Sequence, residues 1–168
     1  DVIVIYDALG QEVSEGPRPL ATRQYFARLT QSFVTAVSAQ TAKGRLYEVD
    51  VRLRPSGRKG PVATSLAAFH SYQMDEAWTW EHLALTRARV MAGDADLTKD
   101  IETLRLQIIA RKGQGTQVLD DVADMRARLA AAKSGQGVWE AKLGAGRMMD
   151  IELFAQTLAL QTASPARS

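Results

Sequence analysis

The clearest alternation of polar and apolar residues lies between Leu46 and Gly57. Side chains two apart on a β-strand share a face, so a strand here would separate the charged side chains from the apolar ones. The charged set is Glu48, Asp50, Arg52 and Arg54, and the apolar set is Tyr47, Val49, Val51 and Leu53. We therefore predict a strand over residues 45–54 with two acids and two arginines on one face.

Apolar spacing predicts the elements around this strand. A β-branched run over residues 1–6 is typical of a buried first strand. Helical spacing of Phe26, Leu29, Phe33 and Val37 predicts an amphipathic helix from Thr22 to Ala39. A turn rich in glycine and basic residues at 55–60 leads to a short third strand at 62–65. A mixed sheet covered by helices follows from this order.

From Ser65 onward the pattern is helical, and three later helices each carry one apolar stripe. The stripes are Leu97, Ile101, Leu104 and Ile108; Val118, Val122, Met125 and Leu129; and Ile151, Phe154 and Leu158. Single stripes of this kind pack against one another as a bundle. The expected fold class is therefore α+β, with a mixed sheet and helices over residues 1–90 and a helical bundle over 91–168.

Two features of the helical part concern charged or aromatic side chains. Trp78, Glu81, His82 and Leu85 fall on one helical stripe, which predicts that Trp78 is a core anchor and that Glu81 and His82 have structural roles. Asp150 and Glu152 begin the last helix, where acids cap the positive helix end without any metal.

Composition limits the chemistry. The chain has 168 residues, no cysteine and two histidines outside any HExxH pattern, which excludes thiolate sites and makes a zinc hydrolase improbable. Any metal should be a hard ion bound by oxygen. The net charge of +2 does not indicate a surface that coats nucleic acid. Residues 43–60 instead carry six basic against two acidic side chains, which favours a small polyanion.

The sequence also predicts surroundings and extent. It contains no run of 18 apolar residues and no signal peptide, so we expect a cytoplasmic protein with no membrane partner and no nucleic-acid partner. Because the chain begins inside a predicted strand, we expect it to be a fragment of a longer protein.

Asp1 and Asp50 are the candidate metal ligands. If the first two strands pair, both carboxylates can reach one cation, and magnesium suits such a site because it accepts few protein carboxylates beside phosphate oxygens. The planar guanidinium groups of Arg52 and Arg54 would then contact phosphate. The alternative is that both arginines pair with Glu48 and Asp50.

Three segments resemble the glutamine synthetase adenylyltransferase family. They are residues 47–57 (YEVDVRLRPSG), residues 76–82 (EAWTWEH) with Arg87 and Arg89, and Asp150-Ile151-Glu152 with Gln156. Members of that family are large cytoplasmic enzymes with two nucleotidyltransferase-like domains, of which one attaches AMP to a tyrosine of glutamine synthetase and the other removes it. The first two segments resemble the C-terminal, adenylylating domain more closely.

The resemblance implies roles for particular residues. Asp1 corresponds to the second acid of an Asp-x-Asp pair and Asp50 to the third acid, so both would be catalytic and bind magnesium or manganese. Arg52 and Arg54 would contact the triphosphate of ATP or the departing pyrophosphate. The Gly-Ser and first acid of the family pattern would precede residue 1, so the chain alone is expected to be inactive.

Two other functions stay open at this point. The same scaffold can run in the removing direction, using phosphate to release ADP from the modified tyrosine. The chain can also act without catalysis, as a module whose helices dock glutamine synthetase or a PII-type signalling protein.

Overall fold

The computed structural model describes residues 1–132, 137 and 139–163. The strands are β1 (Ile5–Tyr6), β2 (Gln40–Thr41), β3 (Gly44–Arg45) and β4 (Thr64–Ser65). The helices are α1 (Thr22–Ser38), α2 (Leu66–Asp75), α3 (Thr79–Leu85), α4 (Ala95–Lys112), α5 (Gln117–Ala132) and α6 (Met148–Thr162). This part of the chain confirms an α+β fold in which helices predominate. The chain divides into two compact units, Asp1–Glu76 and Ala77–Ser168.

In the first unit, β1 pairs with β4 in parallel, with Ile5 opposite Thr64. Parallel neighbours need a crossover connection, and here α1 lies in the chain between the two strands. The rings of Tyr6 and Phe26 stack with centroids 4.2 Å apart, which packs β1 against α1. The predicted first and third strands are therefore present, each as a short strand at the end of the predicted range.

Helix α1 begins at the predicted residue and ends at Ser38, and it buries only part of its predicted apolar stripe. Thr30 is its buried residue, and the Thr30 hydroxyl donates to the carbonyl of Phe26 at 2.8 Å, so its polar atom is satisfied inside the helix. Leu29 and Phe33, expected in the core, are each nearly half exposed. Phe26 and Val37 are half-buried, so the predicted stripe is confirmed at two of its four positions.

The strand predicted over residues 45–54 is wrong. Only Gly44–Arg45 is a strand, and it forms a hairpin with Gln40–Thr41. After the hairpin the chain is irregular, and it turns at Val51, whose carbonyl accepts from the N–H of Arg54 at 3.5 Å. Tyr47, expected to pack, is largely exposed. The alternation failed as a strand signal because Arg54 bonds the backbone of its own segment and Arg52 bonds the Asp50 carboxylate.

The second unit is the predicted helical bundle, and α3 contacts α4, α5 and α6. Leu83, Ile108, Val118 and Leu160 are among its buried side chains. Gly113 marks the closest approach of α4 to α6, since a Cβ placed there would lie 1.8 Å from the carbonyl oxygen of Leu160. The predicted stripes of α4 and α5 face inward, as their buried and half-buried positions show.

The predicted stripe of α6 is wrong. This helix buries Leu153, Thr157 and Leu160, and it exposes the predicted residues Ile151, Phe154 and Leu158. Both sets recur at helical spacing, so the sequence pattern does not tell which of two apolar faces meets the bundle. The described structure therefore leaves one apolar face of α6 in solvent.

The start of α3 gave one wrong and one confirmed prediction, and the structural role of His82 stays a prediction. Trp78 is 69% exposed, because it precedes the helix in an extended conformation and does not share the helical stripe. Glu81 and His82 are buried, and the Glu81 carboxylate accepts from the backbone N–H of Trp78 at 3.3 Å. Glu81 therefore closes the first turn of α3, which is a structural role.

Along the chain, the division between the two compact units falls between Glu76 and Ala77. The sequence analysis expected a domain boundary after residue 90. Helix α3 groups with the helical unit in the structure. That residues 1–90 form a partial nucleotidyltransferase core stays a prediction. Across the described ranges, no helix has both the length and the apolar character needed to cross a membrane.

Two leucines of α6 test which face packs. Leu160 is fully buried and Leu158 is 51% exposed. We expect Leu160→Ala to lower the free energy of unfolding by about 2–5 kcal/mol, because it leaves a cavity. Leu158→Ala should cost under about 0.5 kcal/mol, as usual for a surface site. Urea unfolding of both variants checks this, and equal losses would restore the sequence-based stripe.

Candidate functional site

A backbone hydrogen bond joins the start of the chain to the segment that carries Asp50. The N–H of Val2 donates to the carbonyl oxygen of Asp50 at 2.8 Å. Two residues further on, the carbonyl of Val4 accepts from the N–H of Thr64 at 3.0 Å. The backbones of Asp1 and Asp50 are therefore close, although no strand runs through Asp50. That their carboxylates share a cation stays a prediction.

Asp50 and Arg52 form an ion pair within one turn of chain. The backbone N–H and the Nε of Arg52 each donate to Oδ1 of Asp50 at 2.9 Å, and Nε also donates to Oδ2 at 2.7 Å. The Nη2 of Arg52 pairs with the same Oδ2. The guanidinium is about two thirds exposed, so the pair lies at the surface and weighs little in stability.

The same contacts set the charge of Asp50. Its hydrogen bonds from the side chain and backbone of Arg52 lower the pKa of the Asp50 carboxyl from 3.8 to about 2. The positive charge of Arg52 acts in the same direction, while partial desolvation opposes it. Asp50 is therefore ionised at neutral pH, which is the state that a cation requires.

The predicted alternative, pairing of the arginines with the acids, describes Arg52 correctly. Glu48 is different, because its carboxylate lies 3.5 Å from Nη1 of Arg45 and is almost fully exposed. A phosphate that binds Arg52 would thus have to replace Asp50 as its partner. Exposed pairs exchange partners at small cost, so this competition does not exclude the predicted phosphate contact.

Arg54 is placed differently from Arg52. It is only 8% exposed, and its guanidinium donates to three backbone carbonyls. Nη1 donates to Val51 at 2.6 Å, Nε to Gly60 at 3.3 Å and Nη2 to Arg58 at 3.5 Å. A direct contact between Arg54 and phosphate, which the sequence predicted, would require the guanidinium to leave these carbonyls.

Whether the candidate site suits magnesium depends on the oxygen ligands that its side chains supply. Within residues 1–132, 137 and 139–163, no group of three or more His, Cys, Asp or Glu side chains is arranged to hold a metal. Asp1 and Asp50 are two carboxylates on neighbouring segments, and ionised oxygen donors are what magnesium prefers. The donor type fits a hard divalent ion, and the two residues would supply part of its ligands.

The capping role predicted for the two acids of the last helix stays a prediction for Glu152 and is confirmed for Asp150. Its Oδ2 accepts from the backbone N–H of Gly146 at 2.8 Å, just before α6 begins. The structure adds a contact that the sequence did not reveal, because Arg126 of α5 donates to both oxygens of Asp150 at 2.8 and 2.6 Å. These bonds lower the pKa of Asp150 to about 2. Asp150 therefore links α5 to α6.

Comparison with known proteins identifies a family to which this chain is similar. The family model described as glutamate-ammonia ligase adenylyltransferase matches residues 1–104. A bifunctional glutamine synthetase adenylyltransferase/adenylyl-removing enzyme of Agrobacterium fabrum is 49% identical over 162 residues, which are 95% of this chain and 16% of that enzyme. The enzyme of the same name from Rhizobium meliloti is 47% identical over 168 residues, which are 99% of this chain and 17% of that enzyme.

The chain thus spans about a sixth of the length of these curated relatives. Within that span the similarity runs through both compact units, and the family model covers more than half of the residues. The chain therefore belongs to the glutamate-ammonia ligase adenylyltransferase family.

Proposed function

We propose that the chain forms part of a site that transfers AMP from ATP to a tyrosine of glutamine synthetase. The family membership supports this reaction class, and the names of the relatives supply the protein substrate. The observation that carries the proposal is the hydrogen bond from Val2 to Asp50, because it brings the segments of the two candidate metal ligands together.

In this reaction the tyrosyl oxygen loses its proton to solvent and attacks the α-phosphorus of ATP. The bond from that phosphorus to the bridging oxygen of the β-phosphate breaks, and pyrophosphate leaves with the electron pair. Asp1 and Asp50 would hold the magnesium or manganese ion, which neutralises phosphate charge when bound. A carboxylate with a pKa of about 2 is a weak proton acceptor, so Asp50 serves better as a charged ligand than as a general base.

Arg52 is the arginine with access to a nucleotide. Its guanidinium is exposed and lies against Asp50, so positive charge is present next to the candidate metal ligand. Fixed positive charge of this kind stabilises the charge that develops on departing pyrophosphate. We assign Arg52 to direct phosphate contact, while Arg54, with its guanidinium on backbone carbonyls, supports the loop beside it.

A second candidate is removal of AMP from the modified tyrosine by phosphate, with release of ADP. The names of the relatives include an adenylyl-removing activity, which is the observation that keeps this candidate. In this candidate the acids and arginines of the chain would serve removal instead of transfer, so the direction is decided by which labelled product appears with glutamine synthetase.

The transfer reaction is tested by removing the charge of Asp50 in the full-length protein that contains this chain. We expect Asp50→Asn to slow labelling of glutamine synthetase from α-phosphate-labelled ATP by about 100-fold or more, the scale of a lost electrostatic contact in a transition state. Asp124→Asn is the matched control, because Asp124 pairs with Arg128 on the surface of α5. Equal activity of the two variants would refute the role of Asp50.

The charge state of Asp50 is tested on the 168-residue chain itself. Arg52→Ala should raise the pKa of Asp50 from about 2 toward 3.8, because the hydrogen bonds from the side chain are lost. Carboxyl carbon shifts in a pH titration by NMR measure this. Since the folded pKa is below the unfolded value, the pair stabilises the fold above pH 4, roughly, and this contribution fades as the pH falls toward 2.

Asp150 is the internal control of that titration, since Arg126 holds its pKa at about 2 independently of Arg52. Its titration should be unchanged in Arg52→Ala. An Asp50 titration that is also unchanged would contradict the ion pair.

A further inference from the structure

Arg54 lies at the centre of the loop that follows Asp50. Arginine is rarely buried, and its five N–H groups must then find acceptors. Here they meet carbonyls on both sides of the loop, Val51 before Arg54 and Arg58 and Gly60 after it. One planar group therefore ties the beginning of the loop to its end.

The loop is held in one shape by its backbone as well. Ser56 and Gly57 have φ values of 58° and 54°, a left-handed conformation that suits a tight turn. The N–H of Gly57 donates to the carbonyl of Arg54 at 2.8 Å, and a short 3-10 helix then covers Gly57–Lys59. A Cβ on Gly60 would lie 1.9 Å from the carbonyl oxygen of Pro55, so the two ends of the turn are in direct contact.

Two basic side chains are displayed by this turn. Arg58 and Lys59 are adjacent and exposed on the 3-10 helix, and the backbone carbonyl of Arg58 is one of the acceptors of Arg54. Arg52, on the other side of Arg54 in the chain, is also exposed. The loop thus carries three exposed cations around one buried cation that is committed to the backbone.

We propose that Arg54 is a positioning residue that shapes this loop, and that Arg58 and Lys59 contact the β- and γ-phosphates of a nucleoside triphosphate or the pyrophosphate that leaves it. The inference rests on the proposed adenylyl transfer for its biological ligand. Moving the Arg54 guanidinium off these carbonyls would leave a buried charged group without its acceptors, which is costly. Arg58 and Lys59 are exposed, so moving their side chains onto a phosphate carries no such cost.

Calorimetric titration of the 168-residue chain with inorganic pyrophosphate tests the inference. The double variant Arg58→Ala/Lys59→Ala should weaken binding by about tenfold or more, the effect of losing a charged hydrogen bond. The double variant Arg18→Ala/Arg28→Ala removes the same net charge from exposed positions of the same unit, outside the basic segment 43–60, and should change affinity by less than about threefold.

Two further variants separate positioning from direct contact. Arg54→Lys keeps the charge but lacks the planar fork, and Gly60→Ala changes no charge but meets Pro55. Both should weaken pyrophosphate binding by about tenfold and accelerate amide exchange of Gly57 and Gly60. Far-ultraviolet circular dichroism shows whether each variant is folded. If one of the two is unfolded, the other variant decides whether Arg54 positions the loop.

The proposal is overturned if wild-type chain does not bind pyrophosphate, or if the Arg58→Ala/Lys59→Ala variant binds like the charge-matched control. Weaker binding by Arg54→Lys with unchanged amide exchange at Gly57 and Gly60 would also overturn it, because Arg54 would then touch the phosphate itself. These measurements contain no ATP and no glutamine synthetase. A failure of the proposed transfer reaction would therefore not affect the pyrophosphate-binding results. A failure of pyrophosphate binding would likewise not decide whether the transfer reaction occurs.

Discussion

The hydrogen bond between the N–H of Val2 and the carbonyl of Asp50 is the contact on which the candidate site depends. Asp50 lies in irregular chain, where neighbours are not fixed by a strand ladder. This bond connects that chain to the segment that continues into β1, and β1 in turn pairs with β4. Asp1 and Asp50 are close for this reason, and a cation shared between their carboxylates is possible only while the bond holds.

The charged residues after Asp50 divide into two kinds by the cost of moving them. Arg52 pairs with Asp50 at the surface, where an ion pair contributes little to stability, so a phosphate can replace it. Arg54 is buried and bonded to backbone carbonyls, and a buried guanidinium that lost these acceptors would cost about 1–3 kcal/mol or more. Arg52 is therefore available to a ligand, whereas Arg54, two residues later, stabilises the loop.

Sequence patterns predicted the helices well and the site partly. Apolar spacing located α1, α4 and α5, because long periodic segments determine helices strongly. It failed over residues 45–54, because alternation does not reveal that Arg54 bonds Val51 and turns the chain. It also chose the wrong face of α6, since both faces of that helix are apolar. The pair Arg126–Asp150 joins residues 24 apart in sequence, and no local signal predicts it.

The central claim is that the segments of Asp1 and Asp50 create one cation site, and paramagnetic broadening by Mn²⁺ tests it most directly. In NMR spectra of the chain titrated with Mn²⁺, we expect the amide signals of Val2 and Arg52 to broaden together and first. Helix α5 carries Asp120, Asp121 and Asp124 and serves as an acidic reference. Broadening that begins on α5, with Val2 and Arg52 unaffected, would contradict the account.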